Sequence, residues 1–173
     1  DALDLGGGFG ISYRPGFPGP EPEACAGAIR TQIQALPEAL RGLSLQMSPG
    51  RFLTAPCGTL VTRVRAVKPG APPLVVLDAD PAQCPRLSKS GAYHPVSVLH
   101  AAGRRMQMQL LTGSSQESLP MRRLLPELRP GDPVLIGMLG ADGRSLASCY
   151  GGAELCPEYL VRADGKIEPV TAC

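Results

Sequence analysis

Tryptophan is absent from this chain, and aromatic residues make up only 4% of it, so its core cannot be organised around large rings. Leu, Val, Ile, Ala and Met must fill that space, since 43% of the residues are still apolar. No apolar run approaches the ~20 residues that a membrane-crossing helix needs. The amino end lacks the basic-then-apolar pattern of a secretory signal, and the missing initiator Met fits a piece of a longer polypeptide. Long basic runs are missing too. Arg104-Arg105 and Met121-Arg122-Arg123 are the most basic stretches, and each reads as a solvated face. With 17 basic and 15 acidic side chains and a net charge of +2, neither nucleic acid nor a membrane surface is an expected partner. The cysteines at 25, 57, 84, 149, 156 and 173 form no C-x-x-C pair, and His94 and His100 are the only histidines, so no metal site is expected. Reduced thiols in a cytoplasmic protein are the expected state.

What is abundant is Gly and Pro, 21 and 19 of 173 residues, which implies many turns and short elements. Ala2 to Leu5 reads as a short buried strand running into Gly6-Gly7-Gly8, followed by a Pro/Gly-rich loop over 14–22. From about Glu23, Ile29, Ile33, Leu36 and Leu40 form one apolar stripe at helical spacing, which Pro37 kinks or restarts. Leu43 to Met47 is a second strand, ended by Ser48-Pro49-Gly50-Arg51. Thr59 to Lys68 then alternates in the two-residue rhythm of a half-buried strand. Further strands are expected at Leu74–Leu77, Val96–His100, Met106–Leu111, Pro133–Met138, Ser145–Tyr150, Glu158–Arg162 and Ile167–Val170, separated by turns such as Pro69-Gly70, Pro130-Gly131 and Asp164-Gly165. The boundary between a strand–helix–strand part, 1–57, and an all-β part, 58–173, falls near residue 58.

A strand ending in three glycines offers backbone N–H groups that no Cβ obstructs, which is how loops cradle phosphate; a tight turn is the plainer reading. The second strand also ends in a Gly, and the guanidinium fork of the adjacent Arg51 suits phosphate. Two successive strand ends with such loops are found in the last strands of a (β/α)₈ barrel.

The residues in register carry a resemblance. Leu3-Asp4-Leu5-Gly6-Gly7-Gly8-Phe9-Gly10-Ile11 resembles the L-D-x-G-G-G-F-G-I signature of the diaminopimelate/ornithine decarboxylase family, fold-type III enzymes that use pyridoxal phosphate. Ser48-Pro49-Gly50-Arg51-Phe52 is similar to its E-P-G-R-[FY] segment, and Arg86 to Pro95 to R-P-x-L-Y-x-A-Y-H-P. The likeness continues through Thr59–Lys68, Pro130-Gly131-Asp132, Gly140-Ala141 and Pro157 to Val161, and so covers nearly the whole chain. It implies an α/β plus all-β fold: the last βα units of a (β/α)₈ barrel followed by an antiparallel β-domain of sandwich or barrel type. It also implies pyridoxal phosphate as the ancestral cofactor, with Gly6, Gly7, Gly8, Gly50 and Arg51 as its phosphate holders. Arg86 matches the arginine that takes the substrate's distal carboxylate in the diaminopimelate branch; otherwise it is a surface arginine in a polar loop.

The same resemblance marks what is missing. The family's cofactor-bearing lysine and ring-stacking histidine belong to upstream sequence, and Lys68, Lys89 and Lys166, the lysines present, fall outside the barrel segment. Ser48 replaces the glutamate that pairs with the pyridine nitrogen. Gln116 stands for the family's cysteine, Pro120 for its aspartate, Asp142 for the tyrosine that touches the cofactor phosphate, and Tyr150-Gly151 for its Y-N pair. His94 reads as closing a β-domain turn rather than as a base, Tyr93 and Tyr150 as packing residues, and Asp78 with Asp80 as a capped turn rather than an acid/base pair. No catalytic residue is assigned. The expected function is a degenerate, inactive decarboxylase-like chain; the alternative is a non-catalytic partner, as a homo-oligomer or beside a full-length homologue. A third reading makes the chain one part of a longer polypeptide that supplies the lysine.

Overall fold

The computed structural model describes residues 2–79, 83–113, 121–149 and 154–170. Strand β1 (Ala2–Gly7) pairs in parallel with β2 (Ser44–Ser48), in the register Leu3↔Leu45, Asp4↔Gln46 and Gly7↔Ser48, with a bulge between Asp4 and Gly7. The connection is helix α1 (Pro22–Gln34), with Pro in its first turn, where a missing N–H costs nothing. Pro37 breaks the helical pattern as its ring requires, and a single turn, α2 (Glu38–Arg41), follows. Arg41 Nε reaches back across the break to the Leu36 carbonyl at 2.6 Å. After β2 comes the short helix α3 (Gly50–Thr54).

The remaining long strands form one six-stranded sheet. In chain order they are β3 (Leu60–Lys68), β4 (Leu74–Leu77), β5 (Val96–Val98), β6 (Met106–Thr112), β7 (Met121–Pro126) and β8 (Pro133–Ile136), and in space they run β5-β8-β3-β4-β6-β7. The edge strands β5 and β7 approach each other, so the sheet rolls into a nearly closed barrel. A side chain bridges this seam: Arg123 Nη2 donates to the His94 carbonyl at 3.1 Å. All neighbours are antiparallel except β4 and β6, whose parallel pairing follows from a connection that crosses over through β5. The hairpin of β9 (Tyr159–Val161) and β10 (Ile167–Pro169) stands as a separate antiparallel pair.

Alternation along these strands builds the core. On β3, Thr62 and Val64 are buried while Arg63 and Arg65 are exposed. Val64, Val75, Leu77, Leu111, Leu125, Val134 and Ile136 meet inside the rolled sheet. No Phe or Tyr among the described residues is buried, in keeping with the aromatic-poor composition. Gln109, like His94, is polar at 0% exposure, and it is fully paired: Nε2 donates to the Leu125 and Pro126 carbonyls and Oε1 accepts from the Leu128 N–H. Asp132 accepts a two-pronged contact from Arg104 and the Arg129 N–H at 2.7 Å, and the Arg104 bond holds its carboxyl below the usual range.

Two local expectations differ from the structure. The described part of the expected strand Ser145–Tyr150, up to Cys149, is not a strand: Gly143–Leu146 is a helical turn, α5, held by Arg144 against Glu158 at 3.4 Å and the Cys156 carbonyl at 3.3 Å. Conversely, Met121-Arg122-Arg123 belongs to β7, because its backbone pairs with β6 over Met106–Leu111 and Met121 and Leu125 point into the core. Two adjacent arginines concealed that alternation.

No described residue before Ala55 is buried, so the core lies entirely in the rolled sheet and its connections. The β1–β2 part is joined to it backbone to backbone. The Leu139 N–H donates to the Gly58 carbonyl at 2.9 Å and the Gly140 N–H to the Ala55 carbonyl at 3.1 Å. A Cβ on Gly140 would collide with the Thr54 carbonyl, and one on Gly58 with the backbone of Gly140. Gly140→Ala is therefore expected to destabilise the chain by roughly 3 kcal/mol, because neither backbone can retreat. Urea unfolding checks this, with Gly42→Ala, where a Cβ meets nothing, as the control.

Candidate functional site

Because β1 and β2 run parallel, their carboxyl ends and the loops that follow lie side by side. Gly6 and Gly8 take φ of +71° and +84°, a region that a side chain would strain. Gly7 lies so close to β2 that a Cβ would collide with the Ser48 carbonyl. Around Gly8 and Gly50, by contrast, a Cβ would meet nothing within 4 Å, so the two loops border open space. The Phe9 and Phe52 rings meet edge to face at 5.7 Å and tie one loop to the other. Arg51, half-buried at the start of α3, makes no hydrogen bond or ion pair among the described residues. One N–H is committed: Gly6 donates to Asp4 Oδ1 at 2.8 Å, so Gly6 shapes the turn and has no N–H left for an anion. The remaining open backbone and the unpaired guanidinium suit a phosphate group.

Arg86 lies on a short helix, α4 (Pro85–Ser90), and not in a loop. Its Nη1 donates to Asp142 Oδ2 at 2.8 Å, across 56 positions of sequence. Asp142 adopts φ of 61°, which Asp tolerates, at the start of α5. The fork assigned by resemblance to a substrate carboxylate thus already holds a carboxylate from the chain itself. Sequence reasoning missed this contact because nothing local couples positions so far apart.

His94 is 0% exposed. Its Nδ1 lies 3.0 Å from the Gly137 carbonyl, which leaves it packed within the sheet and far from a solvent-facing base. Asp78 pairs with Arg65 at 2.6 Å, and the Ala79 N–H donates to Thr62 Oγ1 at 2.9 Å, which closes the turn. Burial, with Cys156 beside it, pushes the Cys84 thiol up to about 12, too high for a nucleophile at neutral pH. Among the described residues no group of three or more His, Cys, Asp or Glu could hold a metal ion, and no helix is long and apolar enough to cross a membrane. Asp80, Gln116, Pro120 and Tyr150-Gly151 lie outside the described residues.

A parallel strand pair with glycine loops at its carboxyl ends, leading into a rolled β-sheet, defines a barrel segment followed by a β-module. Comparison with known proteins narrows that class. Residues 1–55 match the family model described as "Pyridoxal-dependent decarboxylase, pyridoxal binding domain". The diaminopimelate decarboxylase of Archaeoglobus fulgidus is 33% identical, over 94% of this chain and 40% of the relative. That of Escherichia coli K12 is 31% identical, over 92% of this chain and 42% of the relative. A crystal structure of diaminopimelate decarboxylase superimposes with a TM-score of 0.87 at 28% identity, over 97% of this chain and 44% of that one. The chain belongs to the fold-type III pyridoxal-phosphate-dependent decarboxylase family, and it spans about two fifths of the length of the curated relatives it matches.

Burial lowers the His94 pKa below its ordinary 6.5; the Gly137 contact opposes this, and the charges of Arg86 and Arg123 add to it. As pH falls below about 6.5, the unfolded chain takes up this proton before the folded one, so His94 contributes full stability above that pH and progressively loses it down through the folded value. The urea midpoint is expected to fall between pH 7 and pH 5, and His94→Gln to flatten that slope.

Proposed function

We propose that this chain is the phosphate-holding barrel segment (1–57) and the C-terminal β-domain (58–173) of a decarboxylase of the diaminopimelate/ornithine type, and that by itself it performs no decarboxylation. Pyridoxal phosphate, when bound, supplies an electron sink for amino-acid carbanion chemistry. The residues present fit one end of that cofactor. Gly7 and Gly8 offer close backbone approach, Gly50 leaves room, and Arg51 supplies an unpaired fork. They do not fit the other end. None of Lys68, Lys89 and Lys166 lies on β1 or β2; Lys68 closes β3, and Lys166 is paired with Glu168 at 2.8 Å in the β9–β10 hairpin. Ser48, at the end of β2, has no charge to offer a ring nitrogen. No reaction step is therefore assigned to this chain.

The observation that carries the reading is this split: an open phosphate cradle beside a barrel segment without a lysine. Arg86 could receive a substrate carboxylate only by releasing Asp142, so the chain's own acid competes with any dicarboxylic amino acid there. A second role is supported by the unburied β1–β2 pair, where Leu45 and Met47 are 45% and 42% exposed and each strand has an open edge. A complete homologue in the same assembly would cover those edges, which makes this chain a non-catalytic partner.

Equimolar pyridoxal phosphate followed by borohydride is expected to leave the chain's mass unchanged, and diaminopimelate, ornithine and lysine to release no CO₂. Turnover by the purified chain would refute the proposal. Arg51→Ala should weaken pyridoxal phosphate binding in equilibrium dialysis about tenfold. Co-purification with a full-length diaminopimelate decarboxylase tests the partner role, and its absence at micromolar concentrations would remove it.

A further inference from the structure

The inward face of β7 carries an arginine. Met121, Arg123 and Leu125 share that face by strand alternation, and Met121 and Leu125 are buried. Arg123 sits opposite Gln109 in the β6–β7 register, in a place where an apolar side chain would be expected. Its guanidinium lies over the Tyr93 ring, 4.0 Å from the centroid, while Nη1 and Nη2 donate to the Arg122 and His94 carbonyls. Its Nε is buried and has no hydrogen-bond partner.

A second guanidinium approaches the same ring. Arg14, exposed in the loop after β1, stands 4.8 Å from the Tyr93 centroid. The loop is folded for this purpose by the Phe17 N–H and Ser12 Oγ, both donating to the Arg14 carbonyl. Arg65, Arg86, Arg104, Arg144 and Arg162 each face a carboxylate. Arg14 and Arg123 face none among the described residues, and they repel each other: burial lowers the Arg123 pKa, and the nearby Arg14 charge lowers it further. A neighbouring donor is equally unfilled: Tyr13 Oη is buried with no partner among the described residues, and its ring meets that of His94 edge to face at 5.5 Å. Buried polar atoms in folded chains are nearly always paired, so the unfilled Tyr13 and Arg123 donors beside two cations that face no carboxylate among the described residues point to an occupant.

We infer that the seam between the Tyr13–Arg14 loop and strand β7 is an oxyanion site, in which Arg14 and Arg123 flank Tyr93 and together hold one carboxylate or phosphate group. The ring keeps both cations oriented, and an anion at its edge relieves their repulsion and draws on donors that otherwise go unused. The site uses none of Gly7, Gly8, Gly50 or Arg51, so it stands whether or not those hold a cofactor.

The test uses the full chain carrying Arg51→Ala, which silences the glycine-loop site, titrated at low ionic strength with inorganic phosphate in one arm and succinate in the other. Binding of one equivalent in at least one arm is expected, weakened about tenfold when Arg14→Gln is added, with an unchanged circular dichroism spectrum. Arg14 is exposed, so this second substitution leaves the packing intact. The arm that binds tells a phosphate group from a carboxylate. Equal affinity with and without Arg14→Gln, or no binding in either arm at millimolar anion, would overturn the inference. The loss of phosphate affinity on going from the wild-type chain to Arg51→Ala speaks only to the cofactor reading, so the two can fail independently.

Discussion

Where Gly58 meets Gly140, two backbones touch with no side chain between them, and the arrangement of the whole chain depends on that contact. On one side, the Ala55 and Gly58 carbonyls lead back through α3 to Arg51 and the glycine loops. On the other, Gly140 begins the turn that throws Asp142 onto Arg86. Since no described residue before Ala55 is buried, hydrophobic packing does little to orient the β1–β2 pair. Backbone hydrogen bonds from Leu139 to Gly58 and from Gly140 to Ala55, with the ring contacts of Tyr13 on His94 and Arg14 on Tyr93, do that job.

The rolled sheet has the opposite character. Its aliphatic core of Val64, Val75, Leu77, Leu111, Val134 and Ile136 closes around a fully paired Gln109 and a buried His94, and it shuts its last seam with Arg123 instead of a ladder of backbone bonds. Polar side chains thus stand in places where a wholly apolar barrel would have had none. Gln109 is satisfied within the chain, and Arg123 only in part. That difference separates a structural polar group from one with spare binding capacity.

Charge tells a related story about the family resemblance. Asp142 pairs with Arg86 from within the chain, and Ser48 ends β2 with a hydroxyl where the family signature has a carboxylate.

Much of this was legible in the linear chain. Alternation marked β3, turn signals bounded β4 and β6, the break at Pro37 followed from its ring, and the Gly6-Gly7-Gly8 turn announced itself, since each of these signals is written in residues a few positions apart. The strand Met121–Pro126 and the turn Gly143–Leu146 were not legible, the first because arginines masked its period and the second because the Arg144 contacts that hold it come from residues 12 and 14 positions away. The sequence by itself determined most of the strands, the first helix and the family, all of which rest on local pattern and motif order. Only the tertiary structure decided that β4 and β6 run parallel, that Asp142 occupies Arg86, and that Arg14 and Arg123 share one ring. Those outcomes depend on which distant segments are brought within a few ångströms, and electrostatic and packing energies at that range leave no periodic trace along the chain.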